Sequence, residues 1–92
     1  MIKNGIVADG TGNRRFESDI CIKDGRIVEV SNDLPTTGVS VMDASNLVVS
    51  PGFIDSHSHD DWGVLLDPCN FHSMQQGVTT VLCGQCRLGL LL

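Results

Sequence analysis

The chain has 92 residues, 41% of them apolar, and a formal net charge of −5 from scattered acids, which is the composition of part of a globular protein, one domain or less, rather than of a disordered segment. With 6 Lys and Arg against 11 Asp and Glu, and no basic cluster, nucleic acid and membrane surfaces are not expected partners. The opening MIKNGIVADG has a lone Lys and no apolar core of a secretory signal, and no run approaches a membrane span, so a cytoplasmic chain is expected.

In chain order, the first fifty residues read as short strands broken by turn dipeptides. IKNGIV (2–7) and IKDGRIV (22–28) each place apolar residues on both sides of an Asn-Gly or Asp-Gly pair. A type I′ turn needs positive φ at both central positions, which these dipeptides accept, so two hairpins are predicted. DGTGNRRFES (9–18) and SNDLPTTG (31–38) are polar loops, and VMDASNLVVS (41–50) is a further β-rich run leading to Pro51-Gly52. Beyond Pro51 the pattern changes. GFIDSH is a short, mostly apolar strand, and DPCNFHSMQQG carries helix punctuation, with Asp67 as N-cap, Pro68 at the first helical position and Gly77 as the stop. VTTVLC (78–83) is rich in β-branched residues. Strand, helix and strand over about thirty residues make a βαβ unit, whose strands must run parallel.

The chemistry lies where the first of those strands ends, in FIDSHSHD (53–60). Side chains alternate along a strand with period two, so His57 and His59 are expected on one side, at the carboxyl end where α/β proteins build their sites. Neutral imidazole is the commonest protein metal ligand, and Asp55, Asp60 and Asp61 are placed to orient the rings or to ligate directly. Cys86 follows the next strand and would offer a thiolate to a zinc-like ion if the strands are neighbours. The four cysteines, Cys21, Cys69, Cys83 and Cys86, are irregularly spaced and read as thiols or metal ligands rather than a disulfide framework. Cys21 has the setting of a small strand residue and Cys69 of a helix residue; Trp62 fits packing as well as pocket lining. His72, inside the predicted helix with no partner at ligand spacing, reads as a surface or packing residue.

LVVSPGFIDSHSHDD (47–61), taken with QGVTTVLCGQC (76–86), resembles the entry to the catalytic barrel of the amidohydrolase superfamily, in its N-acyl-D-amino-acid deacylase (D-aminoacylase) branch. The leading strands with IKNG and IKDGRIVEV are similar to that family as well, so the resemblance runs to Cys86, after which RLGLLL departs from it. It implies an α/β architecture: N-terminal strands of a small β-sandwich over 1–50, then from 51 to 92 the start of a (β/α)8 hydrolase barrel, incomplete here. Position by position it implies His57, His59 and Cys86 as ligands of one or two divalent ions, zinc by preference, and a small N-acyl amino acid as substrate. The family's further histidines and its catalytic aspartate have no counterpart before Leu92, so the catalytic residue is unknown and these residues alone are expected to be inactive.

Three other readings stand beside this one. A dihydroorotase- or hydantoinase-like cyclic amidohydrolase shares the H-x-H pair. CGQC (83–86) resembles a thioredoxin-type dithiol, which would use Cys83 and Cys86 in redox chemistry. A β-rich binding module would fold alone with no dependence on metal.

Overall fold

Residues 1–84 are described by a computed structural model. They fall into two units, Met1–Pro51 and a second that begins at Gly52. The architecture is sheet-dominated α/β.

The first unit is a five-stranded sheet. β1 (Ile2–Val7), β2 (Phe16–Lys23) and β3 (Arg26–Ser31) run antiparallel in the order β3-β2-β1, while β4 (Met42–Asp43) and β5 (Val48–Val49) both pair in parallel with the other edge of β1. The turn at Asp24-Gly25 closes the β2–β3 hairpin as predicted, with φ of 50° and 73° and Lys23 facing Arg26.

Asn4-Gly5 does something else. β1 continues straight through it, and the pair forms a bulge, with Asn4 at φ 61° and the register against β2 shifting between Ile2 and Gly5. The predicted first hairpin is therefore absent, for two reasons. Asp19, 4% exposed, accepts the Asn4 N–H at 3.0 Å, Lys3 Nζ at 2.6 Å and the Leu34 N–H at 3.0 Å, which ties the bulge to β2 and to the loop after β3. Gly5 also lets β5 approach, since a Cβ there would lie 2.6 Å from Val49 Cγ2. The run 41–50 is likewise two short strands, separated by a turn in which Leu47 N–H donates to the Ala44 carbonyl at 2.9 Å. Val7, Ile20, Leu34 and Ala44 are buried, yet one side of the sheet stays open, with an apolar hollow of about 540 Å³ bounded by Val7, Phe16, Ile20, Ile22, Ile27 and Val30.

The second unit is built on β6 (Phe53–Asp55) and β7 (Val78–Val81), which pair in parallel as expected. Two short helices connect them, α1 (Asp60–Leu66) and α2 (Phe71–Met74), where the sequence reading placed one helix starting at Pro68. The difference follows from that proline. A residue before Pro is pushed out of the helical region, and Asp67 is extended at φ −130°, ψ 90°, so α1 ends there with its last N–H bonded to the Gly63 carbonyl. Asp60 and Asp61 sit in the first turn of α1, where acids suit the helix dipole. Asp67 still caps the next helix at a distance, its carboxylate accepting the Cys69 N–H at 3.2 Å and the Phe71 N–H at 2.9 Å. Gly77, at φ +84°, ends the helical segment as predicted. Among the described residues no helix is long and apolar enough to cross a membrane.

Candidate metal centre

β6 is shorter than its sequence suggests, and this changes how the histidines are placed. Asp55 is the last strand residue; its Oδ1 accepts the His57 N–H at 3.0 Å, an Asx turn that bends the chain out of the sheet. His57 and His59 thus lie on the connection between β6 and α1, and strand alternation does not set their directions. Both residues are exposed, and His59 is the residue that enters α1, with φ −105° and ψ 26°. The site begins at the carboxyl end of a parallel strand, where a βα connection leaves the sheet.

The three neighbouring acids hold this connection to its surroundings. Asp60 reaches across to α2: Asn70 Nδ2 donates to it at 2.8 Å and Ser73 Oγ at 3.0 Å, and His72 Nε2 lies 3.3 Å from its other oxygen. The Asn70 amide keeps the Asp60 carboxyl below its ordinary range by outweighing the upward push of desolvation, and Ser73 and His72 add smaller downward pulls. His72 is exposed as the sequence implied, but it has a partner, twelve residues back in the chain. That spacing belongs to no helix face. The readable signal was the pair of acids opening α1 together with the stop at Pro68, which makes two helices that face each other.

Asp61, 7% exposed, turns the other way and accepts the Gly84 N–H at 3.0 Å, just beyond β7. The Cys83 thiol also hydrogen-bonds to Asp61. That bond first, then desolvation and the charges of Asp61 and Asp60, pushes the thiol above its ordinary value of 9.0. An attacking cysteine of a dithiol couple needs the opposite shift, toward thiolate. Cys21, Cys69 and Cys83 are free thiols, with Cys21 in β2 and Cys69 in the turn between the helices. Cys86 lies outside the described residues.

Two exposed imidazoles on one short connection suit a divalent ion of zinc type, which takes nitrogen and sulfur ligands in tetrahedral sets. Among the described residues no group of three or more His, Cys, Asp and Glu is gathered closely enough to hold an ion.

No family model matches the chain. Individual proteins do. It is 39% identical over 90 residues to an N-acyl-D-aspartate deacylase of Alcaligenes xylosoxydans xylosoxydans, an alignment covering 98% of this chain and 18% of that one. Among solved structures it is similar to the N-acyl-D-glutamate deacylase of Bordetella bronchiseptica, crystallised with zinc and a phosphonate mimic of the tetrahedral intermediate (38% identity, TM-score 0.80, 92% of this chain and 18% of that one). It is also similar to a D-aminoacylase described as defining a novel subset of amidohydrolases (36% identity, TM-score 0.84, 99% of this chain and 19% of that one). In sequence and in structure its neighbours are thus N-acyl-D-amino-acid deacylases of the amidohydrolase family, matched along nearly the whole chain. The chain spans about a fifth of their length.

Proposed function

We propose that the chain is the N-terminal part of a metal-dependent amidohydrolase that cleaves the amide bond of N-acyl-D-amino acids. In this reading residues 1–50 contribute to a small β-sandwich, and residues 51–92 open a (β/α)8 barrel of which β6 and β7 are the first two strands. The observation that carries the proposal is the parallel β6–β7 pair with His57 and His59 on the connection leaving its carboxyl end. The similarity to a deacylase crystallised with zinc supports it.

His57, His59 and Cys86 are the proposed ligands, with Asp55, Asp60 and Asp61 as the supporting acids. Asp55 fixes the backbone at His57, Asp60 anchors the start of α1 to α2, and Asp61 joins α1 to the exit of β7. A divalent ion held there supplies Lewis acidity toward an amide carbonyl and makes water a nucleophile near neutral pH. Hydrolysis of the substrate yields a carboxylate and a free D-amino acid.

The test is made in the full-length enzyme: metal content by elemental analysis alongside amine release from N-acyl derivatives of D-aspartate, D-glutamate and neutral D-amino acids. Cys86→Ala and His57→Ala should each lose bound zinc and at least about 100-fold in turnover together, because removing a ligand removes the ion and the water it activates. Full zinc and normal hydrolysis in Cys86→Ala would overturn the assignment.

A further inference from the structure

The connection that carries the histidines runs over residues 56–59, and its far end is α1. α1 has seven residues, Gly63 among them, well short of the roughly 12–15 at which a helix holds by itself in water. Ties from outside must therefore set where its first turn lies. At Asp60, the residue next to His59, those ties come from the segment of α2: Asn70 Nδ2 and Ser73 Oγ both donate to Oδ2, and His72 Nε2 faces Oδ1. The Asp60 side chain is 12% exposed. Within the connection the Asp60 N–H donates to Ser58 Oγ at 3.4 Å, so His59 stands between two residues that are joined to each other.

Asn70 is the unexpected member of this set. It precedes α2 at φ 45° and ψ 49°, a left-handed conformation that glycine would take without strain. Its Oδ1 is buried and has no hydrogen-bond partner among the described residues, a loss that glycine would also avoid. No side-chain bond from Asn70 caps α2. The amide therefore serves neither the turn nor the helix. What it does is donate to Asp60 at 2.8 Å, the shortest of the three contacts there, and turning it over would set its oxygen against the carboxylate.

We propose that Asn70 is a positioning residue of the candidate metal centre: by holding the Asp60 carboxylate it fixes the first turn of α1, and with it the backbone from which His59 reaches the ion. This rests on His59 being a ligand, as read above. The path runs from Asn70 through Asp60 to His59, and it needs an acceptor at Asp60 rather than a negative charge. Asp60→Asn keeps that acceptor in nearly the same shape, whereas Asp60→Ala removes it.

The experiment uses the full-length apo-protein, with zinc affinity measured by chelator competition and the ligand field read from the visible bands of the Co(II)-loaded form. Asn70→Gly, which suits the left-handed backbone and removes the amide, should lose about 10–100-fold in zinc affinity, the range found when a group that orients a ligand is removed. Its Co(II) bands should move as those of His59→Ala do. Asp60→Ala should lose at least as much, and Asp60→Asn should restore both affinity and bands. Combined with His59→Ala, Asn70→Gly should cost nothing further, because its path to the ion is already cut. Wild-type affinity and bands in Asn70→Gly, a loss in Asp60→Asn equal to that in Asp60→Ala, or an undiminished loss from Asn70→Gly beside His59→Ala would each overturn the role of Asn70 while the ligand set stands. Wild-type zinc affinity in His59→Ala would overturn the ligand set itself, and the role of Asn70 with it.

Discussion

Gly52→Ala should destabilise the second unit sharply, although the change adds a single methyl group. The cause is on the neighbouring strand. β7 carries one residue more than β6 between the pairs Phe53–Val78 and Ile54–Thr80, and the extra residue, Thr79, lies against Gly52. A Cβ on Gly52 would overlap Thr79 Oγ1 and Cγ2 and stand 2.7 Å from Thr79 Cβ. Rotating the threonine moves Oγ1 and Cγ2 but leaves Cβ where it is, and carbons rest at about 3.5–4.0 Å, so the two backbones must part by about 1 Å. Overpacking by a methyl costs about 1–3 kcal/mol, and strain between backbone-fixed atoms belongs in the upper half, about 2–3 kcal/mol. That is comparable with the whole stability a very small core supplies. Trp62, the one tryptophan, lies on α1 in the same unit, so urea unfolding followed by its fluorescence is the assay. Thr79→Gly should cost about 1 kcal/mol alone as a strand glycine, and should recover most of the loss when combined with Gly52→Ala, a coupling of about 2 kcal/mol. A Gly52→Ala cost below about 0.5 kcal/mol, or one that persists undiminished beside Thr79→Gly, would refute the reasoning.

Gly25→Ala should cost only about 1–2 kcal/mol in the first unit, all of it backbone, because φ is +73° and a Cβ there meets nothing within 4 Å. Gly25→Asn should be milder in the same urea titration, and equal costs would contradict this. The first unit should also weaken in acid. Lys3 first, then the N–H of Asn4 and that of Leu34, hold Asp19 below its ordinary 3.8. The unfolded chain therefore takes up its proton at higher pH than the folded one: this stability is full above about pH 4 and is lost as pH falls below it. Asp19→Asn should flatten the pH 3–6 dependence of the unfolding midpoint; an unchanged slope would show that Asp19 does not carry it. Cys83, its thiol raised by Asp61, should alkylate more slowly at pH 8 than an ordinary free thiol, and Cys83→Ala should leave hydrolysis intact at a packing cost of about 1 kcal/mol. Rapid alkylation of Cys83 at pH 7 would instead favour the dithiol reading.

What was legible in the sequence depended on range. Asp24-Gly25 could be read because a two-residue turn is decided by its own residues, and the parallel strands at 53–55 and 78–81 could be read from apolar content and the stop at Gly77. Asn4-Gly5 has nearly the same local chemistry and a different outcome, because Asp19 and Val49, 15 and 44 residues away, determine what happens there. The helix start was misplaced by reading Pro68 as the first helical residue, when its steric effect on Asp67 was the stronger influence. At the candidate site the histidines and acids were visible as residue types. Their partners were not: Asp60 with Asn70, His72 and Ser73, and Asp61 with Gly84, join positions that only the packing of α1 brings together.

The open side of the first sheet has a consequence in time. The 90 matched residues are 18% of the N-acyl-D-aspartate deacylase, so a protein of that length has about 500 residues, and at about 5–20 residues per second the ribosome needs roughly 20–80 s to add the last ~400. Through that interval the sheet of residues 1–51 would be free to fold with an apolar hollow that none of its own strands covers, and with β3 exposed along its whole length as an edge. Arg26 and Glu29 are the charges β3 carries along that edge. In the proposed full-length protein, nascent chains stalled once β5 has cleared the ribosomal exit tunnel should therefore recruit chaperone more strongly than chains released at full length, and a charged residue in place of Ile27 should weaken that recruitment.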